Sequence, residues 1–326
     1  MNTLDARLLS ALRSASVHLP AGDLARQLGT SPKEVCTRLA ELRGAGFEID
    51  ERPALGFRFV AAPDRLIGDD LASRLGPCTL AREIVVFEET DSTNEAALKR
   101  GRHGAGPGLA VFAERQTAGR GRFGRRWESA SHRGLWFSLL LRPELPVAQW
   151  TRLTTWAAVS VAAIIENCTR LRASIKWPND VYVAGRKVAG MLIESGTDAD
   201  GRPFAVVGIG VNVNHEPADF PPELAAKAGS LRTAAGRTFD RTALAVAILK
   251  ELESRLGGIG DAFADLVAEA GARSFLLGRW VRFRAGSDII EGLAEQLDEN
   301  GHLLLRAADG SLGRVMAGEV TLIGSR

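Results

Sequence analysis

Residues 116–127, QTAGRGRFGRRW, place four arginines (Arg120, Arg122, Arg125, Arg126) among three glycines (Gly119, Gly121, Gly124). Glycine lacks the Cβ that bars left-handed backbone, so the segment can turn sharply. Guanidinium forks match carboxylate and phosphate oxygens two at a time. Such a stretch reads as a loop that wraps an anion. Fixing it costs about 1–2 kcal/mol per residue, roughly 10–20 kcal/mol as an upper bound. The loop is therefore expected to be mobile when empty and ordered by an anionic ligand. A solvated basic loop, or a piece of an RNA-binding tail, would have the same composition, and the stretch alone does not separate them.

The flanks give the loop a setting. A strand LAVFAER (109–115) leads into it and a strand GLWFSLLL follows. Upstream, the β-branched run IVVFEE (84–89) ends in Thr90, Asp91, Ser92, Thr93 and Asn94 before a helical NEAALKRG. Short polar side chains at a strand-to-helix junction cap the helix or line a pocket floor, and capping is the commoner use. Downstream come a long apolar helix over 150–170 and the segment SIKWPNDVYVAGRKVAGMLIES. The latter reads as a strand, a Pro-Asn-Asp turn and a hairpin centred on Ala184 and Gly185. FAVVGIGVNVN (204–214) is a further buried strand. Residues 65–272 thus form one domain, a mixed sheet with flanking helices.

Only six lysines stand among the 41 basic residues, and Lys176 and Lys187 fall within twelve positions of each other. An ammonium group is a compact charge that can follow a moving anion, although a surface lysine needs no special role. Asp180 could hold a metal ion, or it could simply form an Asx turn. The GIG of residues 208–210 fails as a dinucleotide site, because the third glycine is missing and no helix follows it directly. P-loop, zinc-protease and nucleophile-elbow motifs are absent from the sequence.

The ends read as separate units. In residues 1–62, Leu4, Leu8, Leu9 and Leu12 repeat at helical spacing, and Asp23, Leu24 and Ala25 open a short helix. Gly29, Thr30 and Ser31 make a turn, and Pro32 starts a helix capped by Ser31. Two short strands around Pro53 and Ala54 follow. This order is that of a winged helix-turn-helix with Lys33, Thr37 and Arg38 facing a major groove. Eight Lys/Arg against seven Asp/Glu over residues 1–60 is a weak electrostatic footprint, so a winged helix that only supports the next domain stays open. Residues 61–64, Ala-Ala-Pro-Asp, read as a linker. From about 273 to 326, alternating strands and turns at Glu299, Asn300 and Gly301 and at Ala308, Asp309 and Gly310 describe a small SH3-like β-barrel. Its Glu319 could approach the binding site, although a solvated strand end is the commoner role. The fold class is α+β in three units.

A net charge of +2 gives no bulk attraction to polyanions. Three scattered cysteines (Cys36, Cys78, Cys168), with no 18-residue apolar run and no signal peptide, indicate a cytoplasmic protein with no membrane partner.

GRGRFGRRW, KWPND followed by RKVAGMLIE, and GIGVNVN, in that order after DSTNE, resemble the biotin–protein ligases, whose catalytic domain is class II synthetase-like. With the N-terminal winged helix, the chain is similar to those ligases that also repress biotin operons. The resemblance implies biotin and ATP as substrates, Mg²⁺, and a biotinyl-5′-AMP intermediate. It further implies a biotin carboxyl carrier domain of acetyl-CoA carboxylase as acceptor, operator DNA as partner, and a ligand-promoted homodimer. Ser92, Thr93, Asn94 and Gln116 match the biotin pocket. Gly119, Arg120, Gly121 and Arg122 match the loop over the biotin carboxylate and activated phosphate, and Lys187 matches the lysine facing that carboxylate. Arg125 lies in the same adenylate-binding loop, Trp127 and Asn212 match adenine positions, and Asn179 and Asp180 match positions beside the phosphates and Mg²⁺. Arg122 and Lys187 would be the catalytic pair. Phe123 departs from the pattern, since some members carry another basic residue there.

Overall fold

Three helices, α1 (Leu4–Ser14), α2 (Ala21–Leu28) and α3 (Pro32–Gly44), precede a hairpin of β1 (Glu48–Arg52) and β2 (Gly56–Ala61). This computed structural model describes residues 3–285, 288–316 and 318–323. The remaining positions of the expected N- and C-terminal units lie outside the described residues. Gly29 ends α2 in the left-handed region (φ 69°), and the Ser31 hydroxyl caps α3 by accepting from Glu34 N at 3.1 Å. Leu8, Leu9, Leu12, Leu24, Val35 and Leu39 build the core of this winged helix. Lys33 and Thr37 are exposed on α3. Arg38 is instead turned back on α1, donating from Nε and Nη2 to Asp5 at 2.7 and 2.5 Å and from Nη1 to Glu41 at 2.6 Å.

The expected linker is anchored. Arg241, fully buried at the start of α8 (Arg241–Ser254), donates to Asp64 O at 3.0 Å and forms a close ion pair with Glu114. Glu114 also accepts from Leu66 N at 2.5 Å. The next helix, α4 (Gly68–Leu75), packs against α1 and α8, with buried Asp70 between Arg13 (2.5 Å) and Arg74 (2.9 Å). A buried charge left without its partner is costly. Arg241→Leu should therefore destabilise the chain by about 3–5 kcal/mol, and adding Glu114→Leu should recover part of that. Urea unfolding of the two variants checks this, and a single-variant loss below about 1 kcal/mol would contradict it.

The central sheet has the order β3-β4-β5-β9-β8-β7-β6. Its strands are β3 (Glu83–Thr90), β4 (Leu109–Gln116), β5 (Gly134–Leu141), β6 (Ala173–Lys176), β7 (Asp180–Val183), β8 (Arg186–Thr197) and β9 (Pro203–Asn212). Only the β3–β4 pair is parallel. Its crossover is α5 (Thr93–Arg102), as a parallel connection requires. α6 (Arg152–Thr169), α7 (Leu231–Ala235), α8 and α9 (Phe263–Ala272) complete the domain. Both faces of the sheet are covered, which is why its middle strands read as unbroken apolar runs. Along β9, Ala205, Val207, Ile209 and Val211 join the main core, while Phe204 and Val206 pack under α5. The same two-residue period puts Gly208, Gly210 and Asn212 on the α5 side. There the bulky side chains stop, and the sheet opens into a cavity.

The C-terminal unit is a five-stranded antiparallel sheet, β13-β12-β11-β10-β14, from β10 (Trp280–Ala285), β11 (Asp288–Leu297), β12 (Leu303–Arg306), β13 (Leu312–Val315) and β14 (Glu319–Leu322). Gly301 and Gly310, at φ 78° and 84°, lie in the turns that join β11 to β12 and β12 to β13. Trp177 from the central domain enters the core of this unit and donates from Nε1 to Gly301 O at 2.9 Å.

Candidate active site

The polar junction before α5 does not cap the helix. Ser92 occupies the N-cap position, yet its side chain makes no capping bond. Thr93 and Asn94 are buried and turned inward. Gln116 Oε1 accepts from Thr93 N at 2.8 Å, and Ser138 Oγ lies 2.7 Å from Thr93 Oγ1 and 2.6 Å from Asn94 Oδ1. Asn94 Nδ2 donates to Glu194 Oε2 at 2.7 Å. Thr93, Asn94 and Gln116 of this network floor a cavity. Such an arrangement needs Gly208, because a Cβ there would lie 2.2 Å from Asn94 Oδ1.

Residues 116–127 lie across this cavity. Thr117 N and Ala118 N donate to Thr90 O and Asp91 O at 2.9 and 2.8 Å, and Trp127 N donates to Gly119 O at 2.9 Å. Phe123, at φ 58°, makes the tight turn and is well exposed. Arg120 sits between Glu95 (3.1 Å) and Glu194 (3.2 Å). Arg122 donates to Asn179 Oδ1 at 3.1 Å, and burial lowers its pKa from the usual arginine value while leaving it charged. Arg125 is held by Glu319 across the domain boundary. Glu319 therefore belongs to the site, not to a solvated strand end, and its hydrogen bond from Arg125 lowers its pKa.

A second, larger cavity joins the first. Arg122, Trp127, Asn179 and Lys187 line both. Lys187 Nζ lies 2.7 Å from Asp180 Oδ1 and 5.1 Å from the centre of the Trp127 ring. The indole fits because Gly190 and Gly210 lie beneath it, where a Cβ would come within 2.9 and 2.8 Å of the ring. Asn212 lines the larger cavity and donates to Gly229 O at 3.0 Å. Phe220, on the same wall, stacks on buried His215 with ring centres 5.0 Å apart. Burial pushes the His215 pKa down to about 4.

The unfolded chain therefore takes up the His215 proton first as pH falls. Stability contributed by the neutral ring is complete above pH 6.5, drops between about 6.5 and 4, and then levels off, a loss of about 3 kcal/mol. His215→Phe should reduce the acid-induced loss by that amount in urea titrations at pH 7 and pH 4. Equal losses in variant and parent would contradict the assignment.

The fold thus gathers the expected biotin- and adenylate-site residues, all but Gly119, around two joined cavities, and leaves Lys33, Thr37 and Arg38 on the separate winged helix. Sequence reading missed Ser138, Glu194, Gly190 and the structural use of Gly208 and Gly210. The available signal was glycines recurring at every second position of an apolar strand, where small size makes room for another side chain. Among the described residues, no cluster of three His, Cys, Asp or Glu side chains could hold a metal ion.

Residues 86–214 match the Biotin/lipoate A/B protein ligase family, and residues 276–322 match the Biotin protein ligase C terminal domain. The bifunctional ligase/repressor BirA of Bacillus subtilis (strain 168) is 34% identical over 284 residues, covering 87% of each chain. Residues 63–326 alone could not supply that coverage. A biotin–acetyl-CoA-carboxylase ligase of Mycobacterium tuberculosis is 35% identical over 246 residues, covering 73% of this chain and 88% of its own. Among solved structures, the biotin protein ligase from Aquifex aeolicus in complex with biotin and ATP has a TM-score of 0.66 and 32% identity, spanning 75% of this chain and all of its own. With two family matches in order and a relative 34% identical along most of both lengths, this chain belongs to the biotin–protein ligase family.

Proposed function

We propose that the chain joins biotin to ATP, giving biotinyl-5′-AMP, and then passes the biotinyl group to a lysine of the carrier domain of acetyl-CoA carboxylase. The observation that carries this reading is the position of Arg122 and Lys187 at the junction of the two cavities. The smaller cavity, with Ser92, Thr93, Asn94 and Gln116, takes biotin. The larger one, with Trp127 and Asn212, takes the nucleotide. At the junction a carboxylate and an α-phosphate must meet although both are anionic. Two fixed cations there reduce the repulsion and stabilise the charge of an in-line displacement. The loop then shields the mixed anhydride from water until an amine attacks its carbonyl. Magnesium needs octahedral oxygen ligands and is commonly held by one or two carboxylates together with substrate phosphates. Asp180, in the larger cavity, is a carboxylate fit to hold it there. Pyrophosphate exchange that depends on biotin and not on lipoate tests the activity, and exchange driven by lipoate would contradict it.

The winged helix supports a second role as a biotin-responsive repressor of operator DNA, with the acyl-adenylate promoting a homodimer. The chain-long similarity to a ligase/repressor and the exposed Lys33 and Thr37 favour it. An operator gel shift strengthened by biotinyl-AMP, with a dimer in sedimentation, is expected. A ligase that neither shifts DNA nor dimerises would be mono-functional. No helix among the described residues is long and apolar enough to cross a membrane, and the need for ATP and a carboxylase favours a cytoplasmic reaction.

A further inference from the structure

Lys176 ends β6 and lines the larger cavity without lining the smaller one. It is half-buried, and burial is the main cause that lowers its pKa. Among the described residues, no carboxylate oxygen lies within 4.0 Å of its ammonium group, and Nζ lies 6.0 Å from the centre of the Tyr182 ring. Its acidic neighbours are engaged elsewhere, Asp180 with Lys187 and Glu319 with Arg125. Arg126 in the same cavity faces Glu128 at 3.2 Å, and Lys227 is exposed at the rim. Lys176 is therefore a partly desolvated positive charge with no anion within 4.0 Å, facing the larger cavity. Burying such a charge unpaired is unfavourable, and an incoming anion would relieve it.

The two cavities divide the charges of the reaction. Arg122 and Lys187 line both and meet the carboxylate and the α-phosphate at the junction. Lys176 faces only the space beyond. We propose that Lys176 binds the pyrophosphate that leaves as the acyl-adenylate forms, an assignment that rests on the ligase reading above. A biotin carboxylate oxygen forms a bond to the α-phosphorus. The bond from that phosphorus to the bridging oxygen of the β-phosphate breaks, and its electron pair departs on pyrophosphate. The ammonium group of Lys176 meets the negative charge gained there and gives up no proton. Transfer of biotin from the finished adenylate to an amine involves no pyrophosphate, so Lys176 has no part in that half-reaction.

The full-length chain and its Lys176→Gln variant test this with two assays. In pyrophosphate exchange, K176Q should raise the KM for pyrophosphate about ten- to hundredfold, the range for losing a hydrogen bond to a charged group, with the KM for biotin unchanged. Lys176→Arg should recover part of the effect. Supplied with synthetic biotinyl-5′-AMP, K176Q should biotinylate the carrier lysine at the parent's rate, which also shows that it is folded. An unchanged KM for pyrophosphate would overturn the proposal, as would an equal loss in transfer from the ready-made adenylate. Absence of biotin-dependent exchange in the parent would overturn the ligase reading, and this assignment with it.

Discussion

Arg122→Ala is expected to slow formation of the acyl-adenylate by about 10²–10³-fold and to let the finished adenylate escape into solution. Arg122 reaches from the loop to Asn179 and lines both cavities, so in the proposed reaction it would meet the two reacting anions and also fasten the loop. Burial withdraws it from water, and each remaining interaction is strengthened there. Truncation removes the charge and the fastening together. Single-turnover quench measurements read the first effect, and filter release of labelled biotinyl-AMP reads the second. A variant that makes adenylate at the parental rate and keeps it equally long would show that Arg122 is not part of the clamp.

Gly208→Ala should raise the KM for biotin by about 100-fold or more. The new methyl would lie 2.2 Å from Asn94 Oδ1, so Asn94 must move. Moving it breaks its contacts with Ser138 and Glu194, which hold Asn94 in the floor of the smaller cavity. Leaving a buried polar group unsatisfied costs about 1–3 kcal/mol, and two such losses account for the fold-change. Phe204 and Val206, on the same face of β9, pack under α5 and should keep the strand in place. The substitution should therefore damage biotin binding more than global stability. Steady-state kinetics beside urea unfolding separates the two, and an unchanged KM for biotin would contradict the account of the floor.

Local rules made much of the fold readable in advance. The Ser31 cap, the strands flanking the loop and the turn at Ala184 and Gly185 depend on near neighbours in the chain, and they form as their residue types require. Long-range contacts were less legible. Thr93 and Asn94 looked like capping residues because capping is a local habit. Their partners Gln116, Ser138 and Glu194 are 23 to 100 positions away. Arg38 sits on the expected recognition helix, yet Asp5, 33 residues earlier, holds its guanidinium. Glu319 resembles any strand-end glutamate until the C-terminal sheet brings it to Arg125. The GIG of β9 lies inside a strand and makes no dinucleotide motif. Its use as empty space beneath Asn94 and Trp127 shows only once the strands are side by side.

A crystal structure of the chain with a non-hydrolysable biotinyl-5′-AMP analogue tests the central claim most directly. The account predicts residues 116–127 folded over the analogue, with Arg122 and Lys187 within hydrogen-bonding distance of its acyl-phosphate linkage. A structure with the analogue bound, those two side chains remote from it and the loop turned away into solvent would contradict the account.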